Sequence, residues 1–212
     1  MTAQEMLWRH LEGVEPAPEY ASLEEQARAA ECFETPAWAA QRILEVELLT
    51  PRVWDPCCGT GVLSEAAQAA GYAVVSTDLH DWGYRDQVAQ KDFLRMAESP
   101  DAESGEPFSV FMNPPFSHAT DFVDRAADLG ARKILCFQRF PWRESRDRRA
   151  WWAAHPPARI WLCGDRATCW RFDIPPEQRT SGATTAHAWY VWEHGHRGLE
   201  AVHTLWKDGW VS

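Results

Sequence analysis

Between Arg52 and Gln138 the chain alternates short apolar runs with longer amphipathic ones, and this rhythm constrains the fold more than any other feature. "RVWD" (52–55) reads as a strand, and the Ala-rich stretch 61–70 as a helix stopped at Gly71. "YAVVSTD" reads as the next strand, ending on Asp78, and "PFSVFMN" as another, ending on Asn113. "HATDFVDRAADLG" has helical periodicity closed by Gly130, and "RKILCFQ" is a further strand. Strands separated by helices do not pair as hairpins. The pattern therefore predicts an α/β fold, a largely parallel sheet with helices on both faces and ligands at the carboxyl ends of its strands.

On the N-terminal side, residues 3–12 and 22–31 have helix-forming composition and are separated by the Pro-containing "VEPAPEY". Residues 1–32 thus read as a helical extension to a single domain over 33–212. "FETPAWAAQRILEVELL" predicts a helix with Thr35 as its cap and Pro36 at its first position. After residue 139 the rhythm changes. "RFPWRESRDRRAWWAAHPP" is basic and aromatic with one helix, and "ARIWLC" and "TAHAWYVWEH" read as two strands. They bracket the irregular stretch 164–184, and loops of that length inside a domain are commonly functional or disordered.

A net charge of −10 argues against a protein that coats nucleic acid, so any such contact must be local. The acidic N-terminal stretch lacks a signal-like basic and apolar region, and no apolar run approaches membrane-spanning length, so a cytoplasmic protein is expected. The 13 Trp residues should line the core or a cleft. Cys32, Cys57, Cys58, Cys136, Cys163 and Cys169 form no CxxC pair and read as buried small hydrophobes. Cys163, Cys169, His194 and His196 lack the close paired spacing of a zinc site, so no metal is expected. His187, His194 and His196 receive no role.

Four motifs carry chemistry. In "DPCCGTG", Gly59 and Gly61 would let a nucleotide-like ligand approach the backbone, although a tight turn alone would look the same. Asp78 ends the next strand 23 residues after Asp55, where a carboxylate can bind two ribose hydroxyls or serve as a turn residue. An NAD enzyme fits these two motifs equally well. In "KDFL", Asp92 can accept from an adenine amino group or cap a short helix. The fourth, "NPPF", is a stiff turn after a strand. An amino nitrogen conjugated to a ring is a poor nucleophile, and holding its hydrogens between two acceptors frees its lone pair. The Asn113 side-chain carbonyl and the Pro114 backbone carbonyl can be those acceptors, with Phe116 stacked on the flat group.

"DPCCGTG", Asp78, "KDF" and "NPPF", in that order, resemble the class I S-adenosylmethionine-dependent methyltransferases, and more narrowly those acting on the amino group of DNA adenine. The resemblance implies a Rossmann-like, seven-stranded, mostly parallel sheet with an antiparallel final strand, here "TAHAWYVW". It implies that "FETPAW" closes over the methionine end of S-adenosylmethionine, making Thr35 and Trp38 cofactor-side residues. By the same resemblance Asp55, Cys57, Gly59 and Gly61 line the methionine moiety, Asp78 the ribose, and Asp92 with Phe93 the adenine. Asn113, Pro114, Pro115 and Phe116 become the catalytic group. In this superfamily such a turn serves adenine in DNA, guanine in ribosomal RNA and glutamine in release factors. The stretch from "FPWRES" to "AWYVW" resembles phage and prophage-type adenine N6-methyltransferases, which points to DNA with the target base flipped out of the duplex.

The chain departs from restriction-modification enzymes in lacking a separate target-recognition domain, so recognition falls to loops at about 139–150 and 164–184. In the first, Arg139, Arg143, Arg146, Arg148 and Arg149 against Glu144 and Asp147 give a net +3. Such a patch can meet phosphates while Trp142 stacks on a base or wedges into the duplex; a solvated charged face is the alternative. Arg166, Arg171 and Arg179 are candidates in the second loop. Rival readings are a same-fold methyltransferase acting on RNA or protein glutamine, a non-catalytic S-adenosylmethionine- or DNA-binding protein, and an NAD oxidoreductase.

Overall fold

The computed structural model describes residues 22–100, 105–179 and 185–209. A short helix α1 (Leu23–Ala29) leads through a two-residue strand β1 (Phe33–Glu34) into α2 (Ala37–Val46). The alternating body follows as β2 (Arg52–Asp55), α3 (Val62–Ala69), β3 (Ala73–Asp78), β4 (Gln87–Gln90), β5 (Phe108–Met112), α4 (Ala119–Asp128) and β6 (Lys133–Arg139). Next come a 3₁₀ turn (Phe140–Arg143), α5 (Arg149–Ala154), β7 (Arg159–Cys163), β8 (Trp170–Arg171), β9 (His187–Glu193) and β10 (Ala201–Leu205). The helix expected over 3–12 lies outside the described residues.

Eight strands form one sheet in the order β10-β7-β9-β6-β5-β2-β3-β4, parallel throughout except for β9. The expected count of seven is thus corrected to eight. "TAHAWYVW" does supply the antiparallel strand, but β9 is wedged between β6 and β7 as the penultimate strand, and β10 follows it, parallel to β7. Within this sheet the two strands that composition did not suggest, β4 and β10, are the short, half-exposed edges, where burial imposes no clean apolar pattern; the separate pair β1 and β8 was not suggested either.

Alternation along the strands gives the sheet two apolar faces. Leu135 and Phe137 join Phe111 and Trp189 against α2 and α3, where Ala39, Ala40, Ile43, Leu63 and Ala67 pack. Ile134 and Cys136 join Val110, Met112 and Tyr190 against α4 and α5, through Val123, Ala126 and Trp152. The indoles are largely core, as expected, and most described buried ones find an acceptor: Trp54 donates to Thr77 Oγ1 (2.9 Å) and Trp189 to the Ala39 carbonyl (3.1 Å). The chain enters the sheet at β2, builds outward to β4, then crosses back to β5 beside β2. That reversal opens a crevice at the carboxyl ends of β2 and β5, where this sheet type takes its ligands.

Candidate active site

The loops that leave β2, β3, β4 and β5 ring a cavity of about 360 Å³ at this crevice, a size suited to a small-molecule ligand. The loop after β2 is drawn tight by the Gly61 N–H on the Cys58 carbonyl (2.8 Å). Gly61 caps α3 at φ +96°, and a Cβ there would fall 2.2 Å from the Tyr84 ring, so no larger residue fits. The Gly59 N–H reaches across to Asp78 Oδ2 (2.9 Å), while Asp78 Oδ1 accepts from the His80 N–H (2.9 Å) and the Trp82 indole (3.2 Å). Burial pushes the Asp78 carboxyl above its ordinary value, against the pull of the His80 and Gly59 N–H groups. Asp92 caps the 3₁₀ turn Phe93–Arg95 through the Leu94 N–H (3.1 Å) and also lines the cavity, so both roles considered for it are compatible.

At the far end stands the Asn-Pro-Pro-Phe turn. Asn113 Nδ2 donates to the Phe33 carbonyl (2.8 Å), which fixes the side-chain amide and reserves Oδ1 as an acceptor. Gln138, 1 % exposed, donates Nε2–H to the Pro114 carbonyl (3.2 Å), occupying one of its two lone-pair directions and fixing its aim. Phe116 stacks on Phe33 (5.3 Å between ring centroids), and the Arg139 guanidinium lies 3.9 Å from the Phe116 centroid. Residues 31–35 pass along the cavity between these two ends. Glu34 accepts from Thr60 Oγ1 (2.8 Å) and Arg179 (2.8 Å), and β1 pairs antiparallel with β8.

Of the cofactor-side expectations, Thr35, Cys57, Gly59, Asp78, Asp92 and Phe93 line the cavity. Thr35 does not cap α2. The chain bends one residue later, at Pro36, and the Thr35 hydroxyl is buried in the wall without a protein partner. Trp38 is corrected: it packs against the core from α2 and does not reach the cavity. Asp55 is likewise corrected. It is fully buried behind the loop, accepts from Ser64 Oγ (2.8 Å), and burial pushes its carboxyl up to about 7. Gly61 shapes the loop without lining the space. Asn113 and Pro115 face the cavity, Pro114 is buried and Phe116 is half-buried beside it.

The basic loops divide. Trp142 is 6 % exposed and sits among Trp151, Trp152 and Tyr190, so stacking on a base or wedging into a duplex is ruled out for it in this arrangement. Arg143 pairs with Glu200 (2.8 Å) over the Trp152 ring, and Arg171 with Asp173 (2.8 Å) and Glu24 (3.6 Å), so both are committed to partners. Arg139, Arg146 and Arg166 are exposed. The stretch 164–179 is pinned to the strap at residues 31–35 by β8 and Arg179, leaving little of it free to wander. His187 acquires an explanation: it is a core ring stacked on Phe137 (5.3 Å), held down to about 4 by burial and Arg139.

Sequence reasoning missed Glu31, Phe33, His80, Trp82, Ser117 and Gln138. Phe33 and Glu34 lie within "FETPAW", expected to close over the methionine end of the cofactor, but the resemblance singles out only Thr35 and Trp38 of that segment. Gln138 is the penultimate residue of β6, whose carboxyl end sits beside the turn, and a polar residue directly after the apolar run Ile134–Phe137 was the available signal.

No protein-family model and no curated protein sequence matches the chain. Solved structures do. A type I restriction-modification methyltransferase subunit from Streptococcus thermophilus aligns at TM-score 0.52 and 13 % identity, over 77 % of this chain and 45 % of that one. A "predicted O-methyltransferase" from Agrobacterium tumefaciens aligns at TM-score 0.50 and 16 % identity, over 82 % of this chain and 86 % of that one. A 23S rRNA methyltransferase aligns at 0.48 and 16 %, over 74 % and 68 %. This chain spans under half the length of the restriction-modification subunit. The fold is that of the class I methyltransferases. No helix among the described residues is long and apolar enough to cross a membrane.

Proposed function

We propose that the chain is an S-adenosylmethionine-dependent methyltransferase that acts on the N6 amino group of adenine in DNA. The observation that carries the reading is the Asn113 amide in the cavity wall, whose nitrogen is committed to the Phe33 carbonyl, which leaves its oxygen as an acceptor; the next residue is Pro114, whose carbonyl Gln138 holds. The cavity suits the cofactor. Asp78 and Asp92 offer carboxylates for hydroxyl and amino groups, Phe93 and Phe122 an apolar floor, and Thr35 a buried hydroxyl that lacks a protein partner.

S-adenosylmethionine supplies an electrophilic methyl group. The chain's own task is to prepare the nucleophile. Asn113 Oδ1 and the Pro114 carbonyl take the two amino hydrogens, drawing the nitrogen toward a pyramidal shape with its lone pair free. Two prolines and the bonds from Gln138 and Phe33 hold those acceptors before the substrate arrives, so little reorganisation remains at the barrier. Once methylated, the nitrogen is positively charged and its extra proton is acidic enough to leave to solvent, so no general base is needed.

A nucleic acid is favoured over a protein amide by arginines exposed near the cavity, and within nucleic acids DNA is chosen on the resemblance of the stretch from "FPWRES" to "AWYVW" to adenine N6-methyltransferases. Arg139 closes β6 at the carboxyl edge that holds the cavity, and Arg146 lies in the loop that follows. They can meet phosphates around a flipped base. The test is incubation with isotopically labelled S-adenosylmethionine and unmethylated DNA, digestion, and mass spectrometry for N6-methyladenine, with Asn113→Ala as control. Label in adenine that vanishes in the variant supports the reading. Label only in RNA or in a protein amide rejects the substrate, and cofactor binding with no acceptor found rejects catalysis.

A further inference from the structure

Among the described residues Glu31 is the one non-glycine with a left-handed backbone, at φ +49°. It occupies the position after α1 where glycine is favoured, since the Cys32 N–H returns to the Ala27 carbonyl (3.0 Å) and the Glu31 N–H to Arg28 (3.2 Å) to close the helix. A side chain here strains the stop, so the stop alone does not account for glutamate. Its carboxylate does. Oε2 accepts both the Ser117 N–H (2.9 Å) and the Ser117 hydroxyl (2.8 Å), directly after the Asn-Pro-Pro-Phe turn.

Two further links join the same strap to the same turn: the Phe33 carbonyl on Asn113 Nδ2, and the Phe33 ring on Phe116. On its other side every residue from Ala29 to Thr35 lines the cavity, and Gln26 reaches His80 (3.2 Å) on the ribose side. A ligand in the cavity would touch strap and floor together and favour the closed arrangement by mass action.

We propose that Glu31 is a positioning residue, whose carboxylate fastens the strap over the cofactor cavity to the Asn113–Phe116 turn, so that cofactor occupancy sets the turn for the second substrate. The inference rests on the cofactor reading of the cavity and adds a coupling between its two ends. It makes acceptance of the target conditional on the cofactor, with Glu31 and Ser117 as the fastening.

The test is hydrogen exchange over residues 113–118 of the full chain, with and without S-adenosylhomocysteine, in the wild type, Glu31→Gly, Glu31→Gln and Ser117→Ala. Glycine keeps the left-handed helix stop, so Glu31→Gly folds. In the wild type the ligand slows exchange of the Ser117 amide by about tenfold, which corresponds to ~1.4 kcal/mol. In Glu31→Gly that slowing is lost while β5 remains protected, and Glu31→Gln and Ser117→Ala fall between. Calorimetry run in parallel separates the outcomes. Binding with equal slowing in the wild type and Glu31→Gly overturns the coupling alone; failure of S-adenosylhomocysteine to bind the wild type overturns the cofactor reading and the coupling with it.

Discussion

Asn113 and Phe33 are 80 residues apart in sequence, yet the side-chain amide of one donates to the backbone carbonyl of the other at 2.8 Å. This bond decides which end of the amide faces the substrate. Asn113→Ala removes the acceptor, and Asn113→Asp keeps an acceptor but sets a carboxylate against the Phe33 carbonyl. Both are expected to lower kcat by about 10²–10³, the scale of losing one preorganised polar group. Affinity for S-adenosylhomocysteine, measured by calorimetry, should stay near wild type in Asn113→Ala. A loss of cofactor affinity equal to the loss of kcat would show that Asn113 serves the fold of the cavity instead.

Trp142 and Arg146 stand four residues apart in the basic segment and should answer differently. Trp142→Ala empties a buried aromatic cluster, and the expected cost is ~3–5 kcal/mol of stability, read from urea denaturation. Arg146→Ala should leave stability unchanged, weaken duplex binding at every sequence and reduce the slope of log affinity against log salt by about one. A salt slope unaltered by Arg146→Ala would remove this loop from the DNA surface.

The sequence made the centre of the fold legible and its margins obscure, for a physical reason. β2, β5 and β6 are buried on both faces and β3 over its second half, so their apolar runs stand out, and the turns after β2 and β5 are written in Gly and Pro. The edge strands β4 and β10 are half-exposed and carry no such run. The site follows the same division. Asp78, Gly59 and Asn113 were legible because backbone geometry restricts what can stand at the end of a strand. Glu31, Ser117 and Gln138 were not, because their roles depend on partners 86, 86 and 24 residues away that only the tertiary structure brings together. Asp55 and Trp38 were misplaced because a motif names a residue without saying which side of the loop its side chain takes.

At the opposite end of the sheet, Glu47 is 2 % exposed and gathers Lys133 Nζ (2.9 Å), Arg159 Nη2 (2.9 Å) and the Trp161 indole (2.8 Å). Glu193 completes the cluster with Lys133 (2.7 Å) and Arg159 (2.6 Å), and the Arg159 bond holds its carboxyl down to about 2. Removing Glu47 alone leaves the buried Trp161 indole without its acceptor, and leaves Lys133 and Arg159 to share the single carboxylate of Glu193. Glu47→Ala should cost ~3–5 kcal/mol in urea denaturation, without altering cofactor affinity in the protein that remains folded. A cost below ~1 kcal/mol would mean that Glu193 and solvent together replace the lost carboxylate for Lys133 and Arg159.

Asp55 gives the protein a pH dependence of opposite sign to that of Glu193. Burial raises its carboxyl from an ordinary 3.8 to about 7, so between those values the folded chain holds a proton that the unfolded chain has released. Stability from this residue is therefore full below about pH 4 and falls as pH rises toward 7, by about 1.4 kcal/mol per unit at most. His187, held down to about 4, works the other way over part of this range, because the unfolded chain takes up its proton first. The wild type alone would blur the two. The difference in urea midpoint between the wild type and Asp55→Asn isolates Asp55: the variant should gain on the wild type steadily from pH 4.5 to pH 7, then run parallel to it. Parallel curves throughout would mean that Ser64 and the surrounding N–H groups keep Asp55 ionised at neutral pH, and that the loop after β2 carries a buried negative charge beside Asp78.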